Sequence, residues 1–384
     1  MMNIVHYIPE ITKHDIVSDE LLTIVNAMRD KADVRLVVGS GNHKELFKEG
    51  KPDLIHFHGC WDYHTARFVG EANRKGVATV VSTHGGYMPY TFKHEQPMSK
   101  LAKMLTYQTH CITIADAVAA NTQEELDNIT SQTSQTCIEL IPSFILDSKT
   151  TVESVVGRLM ALYRKVEDTR YRLMMTKEEK DVIRRFVHIG SSRAEFVSKS
   201  TSLSIAGYEA MSQEQWKRIM LYANDEHIED IIGKGAAYEN VVIPPVDVDS
   251  ISRFHVAKAK NDGIDYLSEI SQKRKNLKHD VVANTEKDED ALRHVVYLAA
   301  DIIMEAKDKT VSMRHFVSFF RMLQNEDYDE DKLIELLSQV KLKKPTQRIL
   351  YILKEDLQLS EGFLPIEPVY DSKTQLLRDL INLS

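Results

Sequence analysis

Over the first 148 residues short apolar runs alternate with amphipathic stretches, and beyond them the alternation stops. Asn3–Ile8, Val34–Val38, Leu54–His58, Val77–Thr83, Ala117–Asn121 and Ile138–Ile141 are short, rich in β-branched and apolar side chains, and read as strands. Helical spacing between them predicts helices over Ser18–Asp30, Tyr63–Lys75, Ser99–His110 and Thr122–Asn128. Ser18 stands where a helix cap is expected, with Asp19 and Glu20 favourably placed in the first turn. Gly76 ends the second helix as a left-handed cap. Strands separated by helices imply parallel order and right-handed crossovers, hence a doubly wound α/β sheet of Rossmann-like type.

After residue 149 helical periodicity takes over. Val152–Glu167, Lys177–Ile189, Gln213–Asn224, Asp290–Lys307, Ser312–Gln324, Asp329–Val340 and Gln347–Leu357 place apolar residues at three- and four-residue spacing, as packed helices do. The expected organisation is therefore an α/β domain over 1–148, a helical region over 149–255, a polar linker over 256–288 and a helical C-terminal region over 289–384. Composition adds exclusions. The net charge of −8 argues against nucleic acid as a partner, because phosphate-tracking surfaces need clustered Lys and Arg. No stretch reaches the ~20 apolar residues of a transmembrane helix. A strand at the very start leaves no room for a signal peptide, and three cysteines without metal or redox spacing fit a reducing compartment. The expected location is cytoplasmic.

Candidate chemistry lies where two strands end. Leu54-Ile55-His56-Phe57-His58 stops at Gly59-Cys60-Trp61, and Val80-Val81-Ser82-Thr83-His84 stops at Gly85-Gly86-Tyr87. Two His-Gly endings suggest one site at the strand carboxyl ends, where open α/β sheets bind ligands. On a strand His56 and His58 share a face. Three uses of such histidines compete. One is a metal site, with His84, His64 or Asp62 as a third ligand, but acidic ligands are sparse at the other strand ends. Another is sugar or phosphate recognition by imidazoles, by glycine N–H groups and by the rings of Trp61 and Tyr87. The last is structural pairing with backbone carbonyls, favoured for the deeper His56. The reading adopted assigns no metal and no cofactor.

Five stretches, in order, resemble the N-terminal domain of family-4-type glycosyltransferases, which have the GT-B fold. They are Asn3–Glu10, Pro52–Gly59, Gly76–Gly85, Ile114–Glu124 and Ile138–Pro142. The resemblance covers about residues 1–148. It implies a domain that handles a nucleotide sugar or a glycan acceptor in polysaccharide or glycoconjugate synthesis. It also implies His84 as the residue facing the transferred sugar, with His58, Gly59, Trp61, Gly85, Gly86 and Tyr87 along the same cleft. Such transfer works by positioning and by stabilising the leaving phosphate.

The chain departs from the family's pattern in three places. The loop after the first strand, Thr12–Ser18, has no glycine, which leaves Ser18 and the helix start to meet a phosphate. The exit reads Ile141-Pro142-Ser143-Phe144 rather than Pro-Asn-Gly. The second Rossmann domain, which supplies most donor contacts in the family, has no recognisable strands; Phe186–Arg193 reads as helix and turn. A second reading follows: a non-catalytic scaffold on a degenerate transferase domain, docking a protein partner through its helical half. A zinc hydrolase is the third.

Overall fold

Six strands form one parallel sheet: β1 (Asn3–Ile8), β2 (Asp33–Val38), β3 (Leu54–His58), β4 (Ala78–Ser82), β5 (Ala117–Ala120) and β6 (Ile138–Leu140). Their order is β2-β1-β3-β4-β5-β6, with every pairing parallel. The chain moves one way from β1 to β2 and the other way from β3 onward. The crevice that opens at such a reversal lies between the carboxyl ends of β1 and β3. These relations come from a computed structural model, which describes residues 1–39, 41–197, 208, 210–254, 258, 272–286 and 289–381.

The helices of this part are α1 (Ile16–Met28), α2 (Tyr63–Arg74), α3 (Pro89–His94), α4 (Pro97–Lys103), α5 (Thr109–Ile114), α6 (Gln123–Gln132) and α7 (Val152–Thr169). They bury both sheet faces, which is why the central strands read as continuous apolar runs. On one face Ile4, Leu54, Val80 and Ala117 pack against Ile24 and Met28 of α1 and Val155, Leu159, Tyr163 and Val166 of α7. On the other, Val5, Ile55, Phe57, Val81 and Val118 pack against Phe68, Val69 and Ala72 of α2 and Ile112 of α5. Strand alternation puts His6, His56 and His58 on the α1/α7 face, in step with Ile4 and Leu54.

The first compact unit comprises Met1–Leu173 with Ile251–Phe254, so it runs past residue 148 to take in α7. A salt bridge fixes that helix's end. Arg170 donates to Asp116 at 2.5 Å and to the Val77 carbonyl at 2.9 Å, while Asp116 accepts from the Thr79 N–H at 2.8 Å.

The start of α1 differs from the sequence expectation. The cap is Asp15, whose carboxylate accepts from the Ser18 N–H and the Ser18 hydroxyl, both at 2.9 Å. Ser18 sits inside the first turn, buried, and also accepts from the Thr12 N–H at 3.1 Å. The carboxylate already takes the Ser18 amide and hydroxyl, and its charge repels a phosphate. The expected phosphate contact of Ser18 therefore has no free hydroxyl to make it. Asp15→Ala is expected to lower stability by about 1 kcal/mol, the usual value of a lost helix cap. Urea denaturation measures it, and an unchanged midpoint would mean the cap bond is not formed.

The second unit, Met174–Ser250 with His255–Ser384, is helical, and among the described residues every strand lies between 3 and 140. Its long helices include Lys177–Ser191, Gln213–Asp225, Asp290–Asp308, Met313–Asn325 and Lys343–Glu355. Reciprocal capping boxes start three of them, Thr176 with Glu179, Ser212 with Gln215 and Ser312 with His315. Much of the 256–288 stretch expected as a linker lies outside the described residues; Gln272–Ala283 within it is a helix.

Candidate functional site

The reversal of strand order brings together histidines that are far apart in sequence. His6 on β1 lies directly opposite His56 on β3, and His58 lies opposite Ser82 on β4. The chain then turns out of β4 so that His84 comes back over His58. Nδ1 of His6 is 2.8 Å from Nε2 of His58, and Nδ1 of His58 is 2.9 Å from Nε2 of His84. His56 is held separately, by the Tyr163 hydroxyl at 2.6 Å and the Ser82 hydroxyl at 2.7 Å. Its expected carbonyl partners are therefore hydroxyls, one of them contributed by α7.

His6, His56 and His58 are at most 1% exposed, whereas the His84 side chain keeps 9%. Burial disfavours the charged imidazolium and lowers every pKa in the cluster. His6 falls from 6.5 to about 3 and His84 to about 4, the latter countered in part by the charge of Asp15. His56 and His58 also fall, first by burial and then by mutual repulsion with the other rings. All four are neutral at pH 7. His84 can thus exchange hydrogen bonds with a sugar hydroxyl but offers no positive charge to a phosphate.

Glu20 of α1 closes the row. Its carboxyl oxygen is 4.0 Å from Nδ1 of His84, and it accepts from Ser143 and from the Phe144 N–H. The unusual Ser143-Phe144 exit after β6 thereby holds an acid beside the histidines. Burial raises the Glu20 pKa.

The turns at the strand ends are strained. His84 has φ +48° and Trp61 φ +68°, left-handed values beside Gly85 at +79° and Gly59 at +95°. A non-glycine residue there costs roughly 1 kcal/mol or more, and such outliers concentrate at binding sites. No atom lies within 4 Å of a Cβ built on Gly59, and for Gly85 only Met88 does, at 3.7 Å, so both backbones stand open to an approaching group. Gly86 differs: its Cβ would fall 2.0 Å from Cys60 Sγ, so packing requires it.

The predicted cleft residues divide between the two sheet faces. His58 and His84 meet on the α1/α7 side. Tyr87 is fully buried in the opposite core, with Trp61 stacked on it at 4.9 Å. Trp61 is tied down by its own bonds, from Nε1 to the Gly86 carbonyl at 3.0 Å and from its N–H to Gln108 at 2.9 Å. Both rings act as anchors for the strand-end loops. Asp62 caps α2 through the Thr65 N–H at 2.6 Å, and His64 follows on the same helix, so neither joins the histidine row. His6, Glu20 and Tyr163 do join it, although no local motif marks them. For His6 the signal is parity, since it has the same phase in β1 as the core residue Ile4.

A buried Ser-His-Asp arrangement occurs in the second unit. Ser312 Oγ is 2.9 Å from His315 Nδ1, and His315 Nε2 is 3.5 Å from Asp301. All three are at most 1% exposed, and the Ser–His contact caps the helix Met313–Asn325. It is a structural element of the bundle.

The sheet order and the strand-end site together define a Rossmann-like α/β protein with its crevice at the β1/β3 reversal. Residues 22–147, about a third of the chain, match the family model Glycosyltransferase Family 4. That span contains both His-Gly turns and the later part of α1, and begins after His6 and Glu20. Neither the curated proteins nor the solved structures include a match to this chain. No described helix is long and apolar enough to cross a membrane.

Proposed function

We propose that the first unit binds a nucleotide sugar or a glycan acceptor at the carboxyl ends of β3 and β4, in the service of polysaccharide or glycoconjugate synthesis. The family match over both His-Gly turns carries this reading. The strained, partly exposed His84 supports it as the group that faces the sugar. A neutral imidazole accepts from or donates to a hydroxyl, while the open backbones at Gly59 and Gly85 let a ligand approach closely. His58 orients His84 through their shared hydrogen bond rather than touching the ligand.

The sheet supplies one wall of a transfer site. The described part of the second unit is helical and contains no second parallel sheet to bind the donor. Sugar transfer by this chain then needs a donor-binding wall from a partner protein, and the helical unit is the surface proposed to recruit it.

Thermal-shift measurements with nucleotides, nucleotide sugars and glycans test the reading on the wild type and His84→Ala side by side. At least one sugar ligand is expected to raise the wild-type Tm, with the shift reduced by half or more in the variant. The absence of any shift, or equal shifts in the two proteins, would remove the proposal.

A further inference from the structure

We infer that His6, His56 and His58 form a binding site for a divalent transition-metal ion such as Zn²⁺. One ring nitrogen from each of the three can be chosen so that all lie within 4.8 Å of one another. A tetrahedral zinc with nitrogens at about 2.0–2.1 Å sets its ligand nitrogens roughly 3.4 Å apart. Closing around an ion therefore asks for ring movements of about 1 Å, within the reach of side-chain torsions.

The hydrogen-bond accounting points the same way. Three neutral imidazoles joined by two hydrogen bonds, His6–His58–His84, leave one N–H and one lone pair over, at opposite ends of the row. The Glu20 carboxyl near His84 Nδ1 favours the N–H at that end. The leftover lone pair then falls on His6 Nε2, which is fully buried and without a hydrogen-bond partner. A buried acceptor with no donor is destabilising, and a cation bound at the cluster offsets that by recruiting ring lone pairs.

The surroundings are those a metal-binding histidine requires. A ligating imidazole keeps its orientation by hydrogen bonding through its second nitrogen. His58 keeps His84 in that role through Nδ1 and offers Nε2 by giving up its bond to His6, and His56 keeps one of its two hydroxyl partners, Tyr163 or Ser82, and releases the other to the ion. An all-imidazole set selects borderline ions such as zinc, nickel or copper and disfavours magnesium and calcium, which need oxygen ligands. This inference is independent of the sugar-handling reading, since its test uses no sugar ligand.

The test is titration of EDTA-treated full-length protein with Co²⁺ and Zn²⁺, read by visible absorption and calorimetry. One ion per chain is expected, with the intense visible bands of tetrahedral Co²⁺, which Zn²⁺ then displaces. His6→Gln and His56→Gln should each weaken binding at least tenfold, while His279→Gln, on an exposed side chain, leaves it unchanged. Because a cluster variant could fail to fold, ¹⁵N spectra of the wild-type histidines provide a second reading: zinc should shift three buried imidazoles together. No bound ion, affinity equal in wild type and both cluster variants, or shifts confined to exposed histidines would each overturn the inference.

Discussion

In the absence of added metal, the protein is expected to lose stability steeply as the pH falls from about 6.5 toward 4. In the unfolded chain each histidine takes up a proton near 6.5, whereas the folded protein holds His6 neutral to about 3 and His84 to about 4. Between those limits the unfolded state binds more protons, so stability is complete above pH 6.5 and drains away below it. Each such histidine contributes about 1.4 kcal/mol per pH unit, so these two alone give about 3 kcal/mol per unit. His56 and His58 shift in the same direction. Glu20 works against them: its raised pKa means that the folded state takes up a proton first, which offsets part of one histidine. Over two pH units this loss, about 6 kcal/mol before the Glu20 offset, is comparable with the lower end of the ~5–15 kcal/mol of a typical domain. Guanidinium midpoints at pH 7.5, 6 and 5 in the presence of EDTA measure the slope. A midpoint that does not move between 7.5 and 5 would show that the histidines are not buried as described.

The second large effect lies in the helical unit, and it turns on two glycines two residues apart. Gly235 on the helix Glu229–Tyr238 would place a Cβ 2.4 Å from the Phe186 carbonyl oxygen and 2.6 Å from the Phe186 Cα. Gly190, across the contact, would place one 2.2 Å from the Ile231 carbonyl oxygen. Each glycine faces the other helix's backbone, which cannot swing aside as a side chain can. Gly235→Ala is therefore expected to destabilise the protein by roughly 3 kcal/mol, the upper end of core overpacking. Gly233 on the same helix meets nothing within 4 Å, and Gly233→Ala is expected to stabilise by about 0.5–1 kcal/mol through helix propensity alone. Opposite signs in thermal unfolding are the predicted outcome. Similar effects of the two substitutions would mean that the helices do not cross at Gly235.

These cases also show where sequence reading succeeds and where it stops. The four inner strands were legible because strands buried on both faces carry little but β-branched and apolar residues, as in Ala78–Ser82 and Ala117–Ala120. The cap of α6 was legible because Thr122 directly precedes a first turn carrying Glu124 and Glu125. At α1 two capable residues lie three apart, and the bond from the Ser18 N–H to Asp15 decides between them. The histidine row was half legible. His58 and His84 announce themselves by their glycines, but His6 joins only because β1 pairs with β3, and strand order is not written in any local pattern. Trp61 and Tyr87 follow glycines in the same way, yet each packs into the α2/α5 core, since a left-handed turn can aim a side chain inward as readily as outward. Gly235 looked like part of a featureless Gly-Lys-Gly; its meaning lies in the backbone of a helix about fifty residues away.

The central claim is that ligand binding happens at the strand ends around His84. Hydrogen–deuterium exchange of the full chain, with and without a saturating nucleotide sugar such as UDP-glucose or GDP-mannose, or the glycan that gives the largest thermal shift, tests it most directly. The account predicts slowed exchange in the segments 58–62 and 83–87, with little change on the far side of the sheet. Protection confined to the helical unit, or no protection with any sugar ligand, would contradict it.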